Sequence, residues 1–212
     1  MAGKPGMHNI GRPEKQDSQK TKFILKSFYF PFRLEDVWTE FEKITREKSE
    51  TTKELGLIES QKHRTTRIIL RRLILNCVNE NSKNNSLKLK IKSFSEQEDK
   101  YINTLVTQWK LRKRETSSKQ EIENKERFNL KTFYFPDKLK DVYQEFVNLC
   151  KKAYPRLSKI EGYKNRTVSM GIRNLILSYV LEMTDKGDIK AKINYYLKEE
   201  RGRLSKISDD KN

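Results

Sequence analysis

The chain contains one segment twice, and this internal repeat defines the unit from which its fold must be built. Residues 26–41 read KSFYFPFRLEDVWTEF and residues 131–146 read KTFYFPDKLKDVYQEF, with ten of sixteen positions identical at a spacing of 105. A second shared segment follows each copy, RTTRIILRRLILNCV at 64–78 and RTVSMGIRNLILSYV at 166–180, at a spacing of 102. The unit is therefore an aromatic segment ended by proline, an amphipathic segment, a long connection and a second apolar segment.

Residue periodicity predicts one strand and two helices in each copy. Residues 23–30 are rich in aromatic and β-branched side chains, which favours a strand, and Pro31 ends it. From Leu34 the apolar residues follow helical spacing. We expect the second helix to begin at Thr65 or Thr66, and at Thr167 in copy two, because threonine is a good N-cap. The apolar faces of these helices are too wide to be buried within one copy, so each copy needs a partner.

The remaining segments complete the expected domain organisation. We predict a flexible basic arm at 1–22, unit one at 23–82, a connecting segment at 83–127, unit two at 128–184, and a C-terminal helix with a frayed tail at 185–212.

Two helices are expected outside the repeated units. The connecting segment is predicted to contain a polar turn and an alternating stretch within 82–92, followed by a helix at about 95–115. Ser95 and Glu98 match a capping box at the start of that helix. Residues 188–204 are the candidate counterpart of this helix after copy two.

The charge balance indicates a polyanionic partner. The chain has 46 Lys and Arg against 29 Asp and Glu, a formal net charge of +17. Such a balance suits nucleic acid first and an acidic membrane surface second, while a charge that serves solubility alone is the simpler alternative. No run of eighteen apolar residues is present, so no membrane span is expected. The first twenty residues lack the apolar core of a secretory signal, so we expect a cytoplasmic protein.

The sequence contains no arrangement of residues that is typical of a catalytic or metal-binding site. Cys77 and Cys150 stand apart from metal-ligand spacings and are expected to be buried thiols in a reducing compartment, with a contact between them as an alternative. His8 and His63 are isolated, and neither a Gly-rich phosphate loop nor a nucleophile motif occurs. We therefore expect no cofactor, no metal and no enzymatic activity.

The repeated motifs resemble the ribbon-helix-helix family of DNA-binding proteins. The matching pattern is FYFP, then L-x-x-V-x-x-x-F, then R-T-x-x-x-x-[IL]-R-x-L-I-L, over residues 23–44 with 64–80 and again over 128–149 with 164–182. The resemblance implies a mainly α-helical fold with a short two-stranded antiparallel β-ribbon, in which tandem units form a pseudo-twofold core accompanied by extra helices. It also implies a sequence-specific regulator of transcription that inserts its ribbon into the major groove of double-stranded DNA. Such proteins are prokaryotic, plasmid-encoded or viral. The resemblance therefore implies a location in the cytoplasm, which is that of the host for a plasmid-encoded or viral protein.

The ribbon implied by this resemblance has two faces with different roles. Exposing two phenyl rings per strand would be costly, so the alternate phenylalanines should face the helices. The outward residues are then Leu25, Ser27, Tyr29, Leu130, Thr132 and Tyr134. Hydroxyl groups can bond base edges, and leucine can contact thymine methyls. Lys26 and Lys131 fall on the inward face, so either the strand ends near them or they extend to phosphate, and they stay candidate DNA contacts.

The start of the second helix is the other candidate contact with DNA. Backbone amides at a helix N-terminus bind phosphate, and hydroxyl and basic side chains surround them here. The candidate phosphate-binding residues are Lys62, Arg64, Thr65, Thr66 and Arg67 in copy one, and Lys164, Arg166 and Thr167 in copy two. The alternative is an ordinary capped helix with a solvated basic face.

Two questions stay open at the level of sequence. The two copies could pair within one chain as a pseudo-dimer, or like copies could pair between two chains, with further self-association on DNA in either case. The rival functions are a non-specific architectural or DNA-coating protein and a DNA-processing accessory protein. A relaxase or nuclease is disfavoured because clustered acids and histidines are missing from the sequence.

Overall fold

A computed structural model describes residues 22–111, 128–155, 157–159 and 164–209. In this part of the chain there are seven α-helices and a two-stranded antiparallel sheet, so the expectation of a mainly helical fold with a short β-ribbon is confirmed. The elements in chain order are β1 (Phe23–Pro31), α1 (Glu35–Glu47), α2 (Lys53–Gly56), α3 (Lys62–Asn81), α4 (Asn85–Leu111), β2 (Phe128–Pro136), α5 (Lys140–Ala153), α6 (Lys164–Met183) and α7 (Gly187–Asp209).

The strands of the two copies pair with each other in a single ribbon. Ser27 lies opposite Thr132, with Leu25 opposite Tyr134 and Tyr29 opposite Leu130. Thr132 is the repeat counterpart of Ser27, so the register is centred on equivalent positions of the two copies. Each strand ends at a proline, which lacks the N–H group that would continue the ladder.

The inner face of the ribbon forms the roof of the main hydrophobic core. Phe28, Phe30, Phe133 and Phe135 are fully buried, which is the parity expected from the cost of exposing phenyl rings. Phe28 and Phe133 meet edge to face across the ribbon, with ring centroids 6.2 Å apart. A single apolar cluster below them includes buried residues of both copies, so neither copy buries its apolar surface alone.

Helices of the two copies interleave beneath the ribbon. Helix α3 packs against α1 of its own copy and also against α5 of the other copy. Helix α6 correspondingly packs against α5 and against α1. Both α3 and α6 are buried on more than one side, as the width of their apolar faces predicted.

The third helix of each copy starts earlier than the sequence suggested. Helix α4 begins at Asn85, and α7 begins 102 positions later at Gly187. The polar turn expected at the start of 82–92 is present at residues 82–84, between α3 and α4. The alternating stretch and the capping box of Ser95 with Glu98 were wrong, since the residues from Asn85 onward lie inside α4. The apolar residues of this stretch also fit a helix, because Leu87, Ile91 and Phe94 follow i, i+4, i+7 spacing and are buried together.

The counterparts across the repeat must be realigned accordingly. Ile189, Ile193 and Tyr196 of α7 are buried at the positions equivalent to the three apolar residues of α4. The segment 188–204 therefore corresponds to 86–102 rather than to 95–115. Helix α7 also continues beyond Leu204 to Asp209, further than predicted.

Copy one carries an additional small core. Its connection between the first two helices contains the short helix α2. Leu55 and Ile58 from this connection pack with Ile68 of α3 and with Ile102 and Val106 of α4. Among the described residues, no helix has the length and apolar character needed to cross a membrane.

Candidate nucleic-acid interface

The outward face of the ribbon is an exposed surface of hydroxyl and apolar side chains. Leu25, Tyr29, Leu130 and Tyr134 are 53%, 56%, 55% and 43% exposed, although they are large and largely apolar. Ser27 and Thr132 lie between them and are also exposed. Contiguous exposed apolar surface of this kind is typical of an interaction site.

The pairing register arranges these side chains in three rows. The central row is Ser27 beside Thr132, and each outer row places one tyrosine beside one leucine. The face is thus two residues wide with hydroxyl groups in every row. A two-stranded ribbon fits the major groove, where hydroxyls can bond base edges and apolar groups can contact thymine methyls.

The two inward lysines do not lie on this face. The Lys26 ammonium is 4.5 Å from the ring centroid of Tyr143, and that of Lys131 is 4.7 Å from the ring centroid of Trp38. Lys131 also pairs with Glu35 at 3.0 Å. Neither strand ends at its lysine, and each ammonium sits over an aromatic side chain of the other copy's first helix. Cation–π contacts hold both lysines on the helix side, so neither belongs to the outward face, and their contact with DNA phosphate stays a prediction.

The starts of α3 and α6 flank opposite ends of the ribbon. Arg67 of α3 lies over the ring of Tyr134, and Nη1 of Arg71 donates to the Tyr134 carbonyl oxygen at 2.9 Å. At the other end the Tyr29 amide donates to Oγ of Ser169 on α6 at 3.3 Å. These contacts bring the ribbon face and both helix starts onto one side of the molecule.

The helix starts are basic, with no acidic residue in the first turn of either helix. Arg166 is exposed, Lys62 and Arg64 are partly exposed, and Arg64 donates to the Tyr101 hydroxyl at 3.3 Å. Lys164 opens α6, but its side chain lies outside the described residues. Positive charge opposes the dipole at a helix N-terminus, so an anion bound there would relieve this repulsion.

The basic residues at the start of α3 also affect the pKa of His63. Partial desolvation lowers the pKa of its imidazole, and the charges of Arg67 and Arg64 lower it further. The imidazole is therefore harder to protonate than that of an isolated histidine. A phosphate bound near these arginines would raise the pKa of His63 again, because it would offset their charge.

The threonines expected to cap these helices have a different role. Helices α3 and α6 begin at Lys62 and Lys164. Gln61 is the N-cap residue of α3, and its side chain makes no capping hydrogen bond. Thr65, Thr66 and Thr167 lie inside the helices and are buried. The Thr65 hydroxyl donates to the Lys62 carbonyl at 2.8 Å, and that of Thr66 lies 3.1 Å from the Thr45 hydroxyl. The prediction that these threonines are N-caps was wrong, and their burial removes them from the candidate phosphate contacts.

Two ion pairs behind the ribbon, one buried and one partly buried, were missed from the sequence. Arg71 donates through Nε to Glu98 of α4 at 2.9 Å, and Arg173 pairs with Glu200 of α7. Arg71 thereby links the third helix to the backbone of β2. The sequence does contain a sign of these pairs, because an arginine and a glutamate recur 27 residues apart in both copies. The pairing was missed because the third helix was placed at the wrong residues.

Comparisons with known proteins give no relative for this chain. Protein-family models, curated protein sequences and solved structures all lack a match. In the part of the chain that the structure describes, no group of three or more His, Cys, Asp or Glu side chains could hold a metal ion.

Proposed function

We propose that the protein is a sequence-specific regulator of transcription that inserts its β-ribbon into the major groove of double-stranded DNA. The reading groups are the outward residues of both strands, and the basic starts of α3 and α6 bind the flanking phosphates. The site of action would be the cytoplasm, of the host if the gene is carried by a virus or plasmid.

One observation carries this proposal. The outward face of the ribbon shows the same leucine, hydroxyl and tyrosine pattern in both strands, and a basic helix start flanks each end. Groove-reading hydroxyls between two phosphate-binding positions are the arrangement that duplex DNA requires. A charge that serves solubility alone would explain neither the exposed tyrosines nor a basic helix start at each end of the ribbon.

We further propose that the two copies act as tandem ribbon-helix-helix units in a pseudo-dimer. Equivalent cross-copy ion pairs support this organisation: Lys192 with Asp36 at 2.5 Å, and Lys90 with Asp141. Equivalent polar contacts also join Arg33 to Glu199 at 2.5 Å and Lys138 to Gln97 at 2.6 Å. Each third helix thus contacts the first helix of the opposite copy.

The experiment is a selection from a duplex DNA library with a random core, followed by affinity measurement at physiological salt. A specific regulator should bind the selected duplex at least about 10³-fold more tightly than random duplex. Equal affinity for both would contradict sequence-specific regulation and favour the architectural or coating protein. Absence of binding to any duplex would reject the nucleic-acid interface altogether.

A further inference from the structure

The two ends of the ribbon face carry the same outward residues but different flanking residues. At the Tyr134 end, α3 presents Arg67. The repeat spacing of 102 makes Ser169 of α6 the counterpart of Arg67, and Ser169 lies at the Tyr29 end. The interface is therefore chemically asymmetric at this pair of equivalent positions.

The difference changes how each tyrosine is presented. The guanidinium carbon of Arg67 lies 5.1 Å from the Tyr134 ring centroid, and Tyr134 is 43% exposed against 56% for Tyr29. Among the side chains that the structure describes, which do not include that of Lys164, no Lys or Arg lies over the ring of Tyr29. Ser169 is buried and accepts the Tyr29 amide, so it holds the strand without reaching the outward face.

Arg67 differs from its neighbours in its charge partners. Arg71 is held by Glu98, and Arg72 is bound by Glu98 at 3.0 Å and by Asp99 at 2.6 Å. Within the described residues no carboxylate pairs with Arg67, whose contact is with the aromatic ring. Its planar donor set is thus not used by a carboxylate, and the guanidinium lies over the Tyr134 ring.

This geometry suits one base edge in the major groove. Guanine offers two acceptors, O6 and N7, that match the two parallel donors of a guanidinium. An arginine over Tyr134, beside the reading face, can approach that edge, whereas the buried Ser169 at the opposite end cannot. A lysine or arginine bound to phosphate alone would carry no such preference.

We propose that Arg67, held over Tyr134, reads a guanine at the α3 end of the ribbon only, so that the protein binds in one orientation on a site with unlike halves. This inference rests on the proposed insertion of the ribbon into the major groove. It adds a specificity-determining residue outside the ribbon and an asymmetry that the repeated face does not suggest.

The test uses the full chain and the duplex selected from the random-core library. Two further duplexes are made by doubling each half of the selected site into a palindrome. Wild-type protein should bind the selected duplex about tenfold more tightly than the palindrome that lacks the guanine half. Arg67→Ser should bind these two duplexes equally while keeping its preference at the α6 end.

A second variant and a control keep the result interpretable. Arg67→Lys keeps the charge without the planar fork, so it should retain affinity for random duplex and show a weaker guanine preference than the wild type. Arg203→Ser changes an arginine of α7 that is 67% exposed, and it should behave as wild type.

Three outcomes would overturn the inference. A selected site with two identical halves, or Arg67→Ser weakening all duplexes by one common factor, would reject guanine reading while leaving the proposed function intact. Failure of the wild-type protein to select any preferred duplex would reject the proposed function, and this inference with it.

Discussion

Gly171 of α6 lies where any side chain would collide with Cys150 of α5. A Cβ atom built at Gly171 overlaps the Sγ atom of Cys150, and that thiol is buried at the contact between the two helices. Burial raises the pKa of the Cys150 thiol to about 12, with a further contribution from Cys77, so it behaves as a neutral packing group. The close approach of α5 and α6 therefore depends on a glycine in mid-helix.

Gly171→Ala should lower the free energy of unfolding by about 1–3 kcal/mol, because it overpacks this contact. In a Cys150→Ala background the same change should become neutral or stabilising, since the space is then vacant and alanine favours a helix by about 1 kcal/mol. Urea unfolding of the four proteins measures this coupling.

Gly202 supplies the matched control for this cycle. It lies in α7 with open space around its Cα, so Gly202→Ala should stabilise in both backgrounds. Equal effects of Gly171→Ala with and without Cys150 would show that the contact is not tight.

The two outward tyrosines should contribute to sequence discrimination. Tyr29→Ala and Tyr134→Ala should each reduce the preference for the selected duplex over random duplex by about 1–3 kcal/mol. Both side chains are exposed, so the melting temperature should change little. Competition binding measures the preference, and Tyr195→Ala, which removes a 65% exposed tyrosine from α7, is the control. Unchanged discrimination in both ribbon variants would argue against reading by this face.

At the scale of elements, the third helices support the ribbon from behind. Glu98 of α4 accepts from Arg71 and Arg72, and the first pair is buried on both sides. Removing one partner of a buried ion pair leaves an uncompensated charge, which typically costs about 3–5 kcal/mol. Glu98→Gln should therefore lower the midpoint of urea unfolding strongly. Glu54→Gln, which breaks the exposed pair with Lys110, should shift it little. Similar midpoints for the two variants would show that the buried pair adds little.

The sequence revealed the strands and the first two helices because each has a clear period bounded by proline or polar residues. It misplaced the third helix, since LKLKIK at 87–92 fits an alternating strand as well as a helix with one buried face. Only packing against distant elements decides whether this segment forms a strand or a helix. The ribbon candidates and the inward direction of Lys26 followed from local parity, whereas the cation–π contact of Lys26 depends on Tyr143, more than a hundred residues away in the sequence.

At the scale of the whole molecule, the described chain closes its core from its own two copies. A tethered mate has a high effective concentration, so pairing within one chain should persist on dilution. Sedimentation of dilute protein should give a folded species of 25.3 kDa, the mass of one chain. A dimer that unfolds when diluted would instead indicate pairing of like copies between chains.

The charge of the molecule leads to a separate prediction about DNA affinity. If roughly 6–10 phosphates are neutralised, the logarithm of affinity should fall with the logarithm of salt concentration by about 0.9 per contact. Arg64→Ala combined with Arg166→Ala should flatten this slope and weaken binding to all duplexes alike. Titrations of random duplex at several salt concentrations provide the measurement. A changed base preference in this variant would show that the two arginines read bases rather than bind phosphates.

The antiparallel register, centred on Ser27 and Thr132, has a consequence for how such a protein can evolve. In a symmetric homodimer, one mutation alters both ends of the ribbon at once, so it changes the recognition of both half-sites together. Here each mutation alters one end and leaves the other intact. A duplicated gene fused into one reading frame can therefore acquire a new recognition sequence stepwise, one half at a time. The divergence of Arg67 from Ser169 beside an almost unchanged ribbon face fits the beginning of such a path.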